Sequence, residues 1–126
     1  MTVEINGAPA GQAELEQLGW NNYGSFTSLQ VRGGAVRGLA LHLQRLRDNG
    51  LELFGAAPDA EGLQVWLRQA VRGQPECSVR ITLICLDPTA LTAGSIVVPD
   101  VAVQVSAPRR ASSQPIRVRT VAYDRE

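Results

Sequence analysis

At 126 residues the chain has the length of one domain and enough residues to bury a core. Its formal net charge is +0, which excludes a basic field for nucleic acid and an acidic interaction tail. Hydrophobic residues at 44% and charged residues at 19% exclude a disordered chain, and no apolar run approaches the roughly 18 residues of a membrane span.

The opening MTVEINGAPAG has no charged stretch followed by an apolar one, so it does not read as a secretory signal. Thr2 to Ile5 reads as a short strand stopped at Asn6-Gly7. Ala10 to Leu18 reads as either a short helix or a loop, because Gly11 and Gly19 flank it. Phe26 to Arg32 and Ala35 to Arg37 are extended runs on either side of Gly33-Gly34. Glycine supplies the positive φ angles of a tight hairpin, so these runs are expected to pair.

Leu39, Leu43, Leu46, Gly50 and Leu53 follow a 4-3-4-3 spacing, the stripe of a helix with one buried face. Gly50 costs such a helix about 1 kcal/mol relative to alanine, so Asn49-Gly50 marks either a break or a close packing point. Phe54-Gly55 ends it, with Pro58 just beyond. A second helix is expected from Asp59 to Arg72, with Leu63, Trp66, Leu67, Ala70 and Val71 on one face. Its acidic start and basic end suit the helix dipole.

The last third is strand-like. Val79, Ile81, Leu83 and Cys85 alternate with Ser78, Arg80, Thr82 and Ile84, and Val101, Val103 and Val105 alternate with Ala102, Gln104 and Ser106. Ser95 to Val98 is short and apolar, and Ala107 to Pro115 is a polar loop. Ile116, Val118 and Thr120 suggest a final strand that stops near Tyr123. Helices grouped on one side of an antiparallel sheet make an α+β fold, here with two helices on that side. Cys77 and Cys85 do not make a disulfide framework or a zinc site, and free thiols make the cytoplasm the default compartment.

The stretch from Asn21 to Gly55 resembles the start of a class IV aminotransferase or aminodeoxychorismate lyase, the fold-type IV enzymes that use pyridoxal 5'-phosphate (PLP). Leu41-His42-Leu43-Gln44-Arg45-Leu46 is similar to that family's H-L-x-R-L signature. The resemblance implies that Arg45 reaches the cofactor phosphate, a task its planar fork of donors suits. A solvated helix arginine is the plain alternative. His42, the lone histidine, is implied to be structural.

Phe26 matches the family's phenylalanine on the substrate side of the site, though it could equally be a core aromatic. The F-E-T-I-R-like run that commonly follows is replaced here, with Thr27 and Gln30 at the departing positions, which leaves the substrate class open. Tyr23, with Gly24, stands where a tyrosine can donate to a substrate carboxylate; otherwise it is a half-buried loop residue. Arg80 falls where branched-chain aminotransferases carry a carboxylate-holding arginine, with an exposed strand arginine as the alternative.

All twelve basic residues are arginines, so the lysine that forms the Schiff base in this family is not in the chain. The resemblance therefore implies an N-terminal small domain, residues 1–126, of an enzyme whose large lysine-bearing domain is absent from this chain. The run from Arg119 to Glu126 carries no turn or capping signal, as expected of a crossing into that second domain. Such enzymes act on an amino-acid or aminochorismate-type small molecule and are usually homodimers. The rival expectation is a non-catalytic module of the same fold that binds a small ligand or dimerises.

Overall fold

Alternation along the central strands decides which side of the sheet is dry. The computed structural model describes residues 1–122. One six-stranded sheet contains β1 (Thr2–Ile5), β2 (Ala8–Pro9), β3 (Gly24–Arg32), β4 (Ala35–Val36), β5 (Cys77–Ile84) and β6 (Asp100–Ser106). Their order is β2-β1-β6-β5-β3-β4, and every neighbouring pair is antiparallel. Three helices complete it: α1 (Gln12–Trp20), α2 (Leu39–Phe54) and α3 (Ala60–Ala70). This is the α+β architecture that the patterning predicts.

Leu29 and Val31 of β3 share one face with Cys77, Val79, Ile81 and Leu83 of β5 and with Val101, Val103 and Val105 of β6. Leu46 and Phe54 of α2 and Leu63, Leu67 and Ala70 of α3 cover that face. Each fully buried large apolar side chain contributes about 1.5–3 kcal/mol relative to exposure. This layer is therefore the main source of stability.

The helix ends follow local chemistry. Asp59 caps α3, its Oδ2 accepting from the Gly62 N–H at 2.6 Å. Gly38 and Gly55 bracket α2 in left-handed conformations, φ 68° and 74°. Gly33 and Gly34 have φ of 57° and 73°, and Arg32 pairs with Ala35 across them, so the glycine hairpin forms as its sequence requires.

Three expectations change. The ambiguous stretch after Gly11 is a helix, shifted to Gln12–Trp20, and Glu14 Oε2 accepts from the Gly11 N–H at 2.7 Å at its start. A third helix therefore accompanies the two expected. Ser95 to Val98 contributes only an isolated bridge between Val97 and Gly55.

No strand forms over residues 116–120. Ile116 and Val118 are 79% and 84% exposed, so their alternation has no sheet edge to pair with among the described residues. The rest of that expectation, Tyr123 to Glu126, lies outside the described residues.

Candidate functional site

The sheet face away from α2 and α3 is open. It presents Phe26, Ser28 and Gln30 of β3 beside Ser78, Arg80, Thr82 and Ile84 of β5, then Ala102 and Gln104 of β6 and Val3 of β1. At one end α1 contributes Leu18, and Asn21 and Asn22 follow it, walling a cleft of about 470 Å³. That size suits a small molecule. Its lining mixes polar and apolar groups, and beneath it Ile84 and Ala102 are buried, 2% and 3% exposed, although both point away from the main core.

Among the described residues, Arg80 is the single charged one lining the cleft. Its guanidinium lies over the Phe26 ring, 3.7 Å from the centroid. The two are diagonal neighbours, since Arg80 pairs with Ser28 and Phe26 with Thr82. Phe26 is 45% exposed, so it is a cleft residue and not a core aromatic. A guanidinium stacked on a ring keeps its edge donors free for a planar anion. With no carboxylate among the described lining residues, the Arg80 charge favours a negatively charged ligand.

Tyr23 stands at the rim. Its ring meets Phe54 edge-on, centroids 5.6 Å apart, and its hydroxyl donates to the Leu53 carbonyl at 2.7 Å. The hydroxyl is thus engaged with the last turn of α2, and the ring forms the wall. Gly24 beside it has a steric reason: a Cβ there would collide with the Leu83 carbonyl oxygen.

Arg45 does not line the cleft. It belongs to a polar stripe of α2 that clips the helix to the start of β3. His42 Nδ1 bonds Thr27 Oγ1 at 2.7 Å, Arg45 Nη2 donates to the Phe26 carbonyl at 3.2 Å, and Asn49 Nδ2 donates to Ser25 Oγ at 2.6 Å. Positions 42, 45 and 49 share one helix face. The exposed Arg45 guanidinium therefore sits behind Phe26, on the outer edge of the sheet. The structure brings Tyr23, Phe26 and Arg80 together and leaves Arg45 outside the cleft.

Sequence reasoning did not single out Asn21, Thr82 or Gln104. Asn21 Nδ2 donates to the Cys85 carbonyl at 3.0 Å and its Oδ1 accepts from the Tyr23 N–H at 3.0 Å, which fixes the turn that aims Tyr23. Thr82 and Gln104 were legible as polar alternates, but only the strand order puts them beside Arg80. Farther along the open face, Ser78 Oγ and Gln30 Oε1 accept from the Arg109 N–H at 3.0 and 3.2 Å, and Arg32 donates to the Arg109 carbonyl. The chain after β6 is thereby held against the sheet.

Two groups with shifted acidity lie away from the cleft. Burial pushes the Cys77 thiol up, partly opposed by Arg32, and hydrogen bonds from Thr89 hold the Asp87 carboxyl below its usual range. No helix among the described residues is long and apolar enough to cross a membrane.

No family model matches this sequence, and no curated protein sequence matches it. Its fold does match a solved structure, the 4-amino-4-deoxychorismate lyase from Pseudomonas aeruginosa, with a TM-score of 0.63 and 24% identity. The match covers 87% of this chain but 41% of that one. The chain thus has the fold of a part of that enzyme and spans less than half its length.

Proposed function

We propose that this chain is the N-terminal small domain of a PLP-dependent enzyme of the class IV aminotransferase and aminodeoxychorismate lyase kind. In this reading it supplies the substrate-side wall of the site. The observation that carries it is the open-face cleft with Arg80 as its one charge among the described residues, on a fold like that of a 4-amino-4-deoxychorismate lyase. The ligand it suits is an amino acid or an aminochorismate-type molecule, both of which bear a carboxylate.

Arg80 binds that carboxylate through its free edge, Phe26 holds the guanidinium in place, and Tyr23 closes the rim. Arg45 suits a phosphate: it spends one donor on the Phe26 carbonyl and stays exposed, with its remaining donors available. PLP, when bound, withdraws electrons from the α-carbon of an attached amino acid. The sequence offers no lysine, so the covalent anchor and the base belong to another segment of the enzyme. A homodimer and a cytoplasmic location go with this reading.

The same lysine-free sequence favours a second reading, a non-catalytic module that binds a small anion in this cleft. Titrating the isotope-labelled chain by NMR with benzoate and with inorganic phosphate tests the shared part. Benzoate is expected to shift Phe26, Arg80 and Thr82, and phosphate to shift the neighbourhood of Arg45. Silence at the first three sinks the carboxylate site, and silence around Arg45 sinks the phosphate role. Joining the chain to a lysine-bearing domain of such an enzyme then separates the readings, since only the first gives turnover.

A further inference from the structure

Two Asn-Gly dipeptides occur in the chain, and the fold treats them differently. Asn49-Gly50 lies inside α2, where Gly50 is buried in the helical ladder and Asn49 donates to Ser25. Asn6-Gly7 is the two-residue turn between β1 and β2, with φ of 50° and 81°. Among the described residues the Gly7 N–H donates to no group.

The Asn6 amide is gripped at both ends. Its Oδ1 accepts from the Val101 N–H at 2.9 Å, and its Nδ2 donates to Asp100 Oδ1 at 2.9 Å. The other Asp100 oxygen accepts from the Leu86 N–H at 3.0 Å, so the carboxylate is fixed. A backbone N–H on the amide oxygen draws electrons from Cγ, as an oxyanion donor does. The following residue has no Cβ to obstruct approach.

We propose that Asn6-Gly7 is a site of spontaneous covalent conversion. The Gly7 backbone nitrogen gives its proton to hydroxide and attacks Asn6 Cγ. The new C–N bond closes a succinimide, the Cγ–Nδ2 bond breaks, and ammonia leaves with a proton taken from water. A second water opens the ring to aspartate or isoaspartate. The net change is hydrolysis of one amide and needs no oxidant or reductant. The product places a carboxylate against Asp100 where a donor stood, and like charges this close repel. The clasp between the β1–β2 turn and the start of β6 then loses its Asp100 arm and is held only by the Val101 backbone.

Peptide-level mass spectrometry of the folded chain, held in warm, mildly alkaline buffer, tests this. Asn6 is expected to gain the mass of an amide-to-acid exchange severalfold faster than Asn49, with an isoaspartate fraction. Asn6→Gln, whose ring would need six members, is expected not to convert. Equal rates at the two asparagines overturn the proposal, as does an intact Asn6 over a period in which the urea-unfolded chain converts. The product mimic Asn6→Asp is expected to lower Tm by several degrees, and Asp100→Asn in that background to recover part of the loss. An unchanged Tm in Asn6→Asp overturns the claim that conversion weakens the clasp.

Discussion

Arg80 of β5 stacks on Phe26 of β3 with 3.7 Å between its guanidinium carbon and the ring centroid, in a cleft where no second charge among the described residues competes for it. The pair is partly solvent-exposed, so its coupling should fall near the exposed end of the cation–π range, about 0.5–1 kcal/mol. A urea double-mutant cycle of Phe26→Leu and Arg80→Met is expected to return that coupling. A value near zero would show that the ring does not hold the guanidinium.

Gly50 packs against the loop that follows α2. A Cβ there would lie 3.0 Å from the Ala56 carbonyl oxygen, 3.2 Å from Ala57 Cα and 3.3 Å from Pro58 Cδ. Helix propensity alone favours alanine by about 1 kcal/mol. Because the nearest obstacle is backbone, crowding should win, and Gly50→Ala is expected to destabilise the chain in urea. Gly19, within α1, has nothing within 4 Å of its Cβ position. Gly19→Ala is expected to stabilise by up to about 1 kcal/mol.

Much of this was legible from spacing. The 4-3-4-3 stripe of α2 and the alternation on β5 and β6 follow from burial, which local sequence reports directly. The two-residue glycine turn was legible for a different local reason, since few residues accept its φ angles. What failed depended on distant partners. Ile116, Val118 and Thr120 alternate like a strand, but a strand needs an edge to pair with, and sequence names no edge. Phe26 and Arg80 were each legible as candidates, yet their contact follows from the β3–β5 register, which no local pattern encodes. The Arg45 contact with the Phe26 carbonyl was hidden likewise, because a backbone acceptor leaves no trace in residue identity.

Thr27 is a buried hydroxyl, 2% exposed, whose partner is His42 Nδ1. Thr27→Val keeps the shape and removes the hydrogen bond. A loss of about 1–3 kcal/mol is expected, because an imidazole nitrogen is left without its partner. Urea denaturation reads this, and an unchanged midpoint would show that water satisfies the ring.

Leu46 has 0% exposure, at the centre of the α2 face against the sheet. Leu46→Ala is expected to cost about 2–5 kcal/mol, while Leu41→Ala, at a 77% exposed position of the same helix, is expected to cost little. Comparable losses at the two sites would contradict the assignment of the buried face.

Burial raises the Cys77 thiol above its ordinary range, so the folded chain resists its ionisation. A raised folded-state pKa contributes stability that is full below the ordinary thiol range and is lost as pH rises through the folded value. Tm is therefore expected to fall on the alkaline side more steeply in the parent than in Cys77→Ala. Parallel alkaline limbs would show that Cys77 plays no part. Iodoacetamide is expected to label Cys77 only on unfolding.

The first strand of the chain pairs with the last strand of the sheet: Thr2 lies opposite Val105 and Ile5 opposite Ala102. About a hundred residues must be synthesised before β1 can meet β6, its long-range neighbour, and closing so long a loop costs entropy before any contact repays it. The β3–β4 hairpin and the α2 and α3 helices can form while the ribosome still holds the rest. Until residue 105 emerges, β1 has only the two residues of β2 to pair with, and its other edge is filled when β6 slides between β1 and β5.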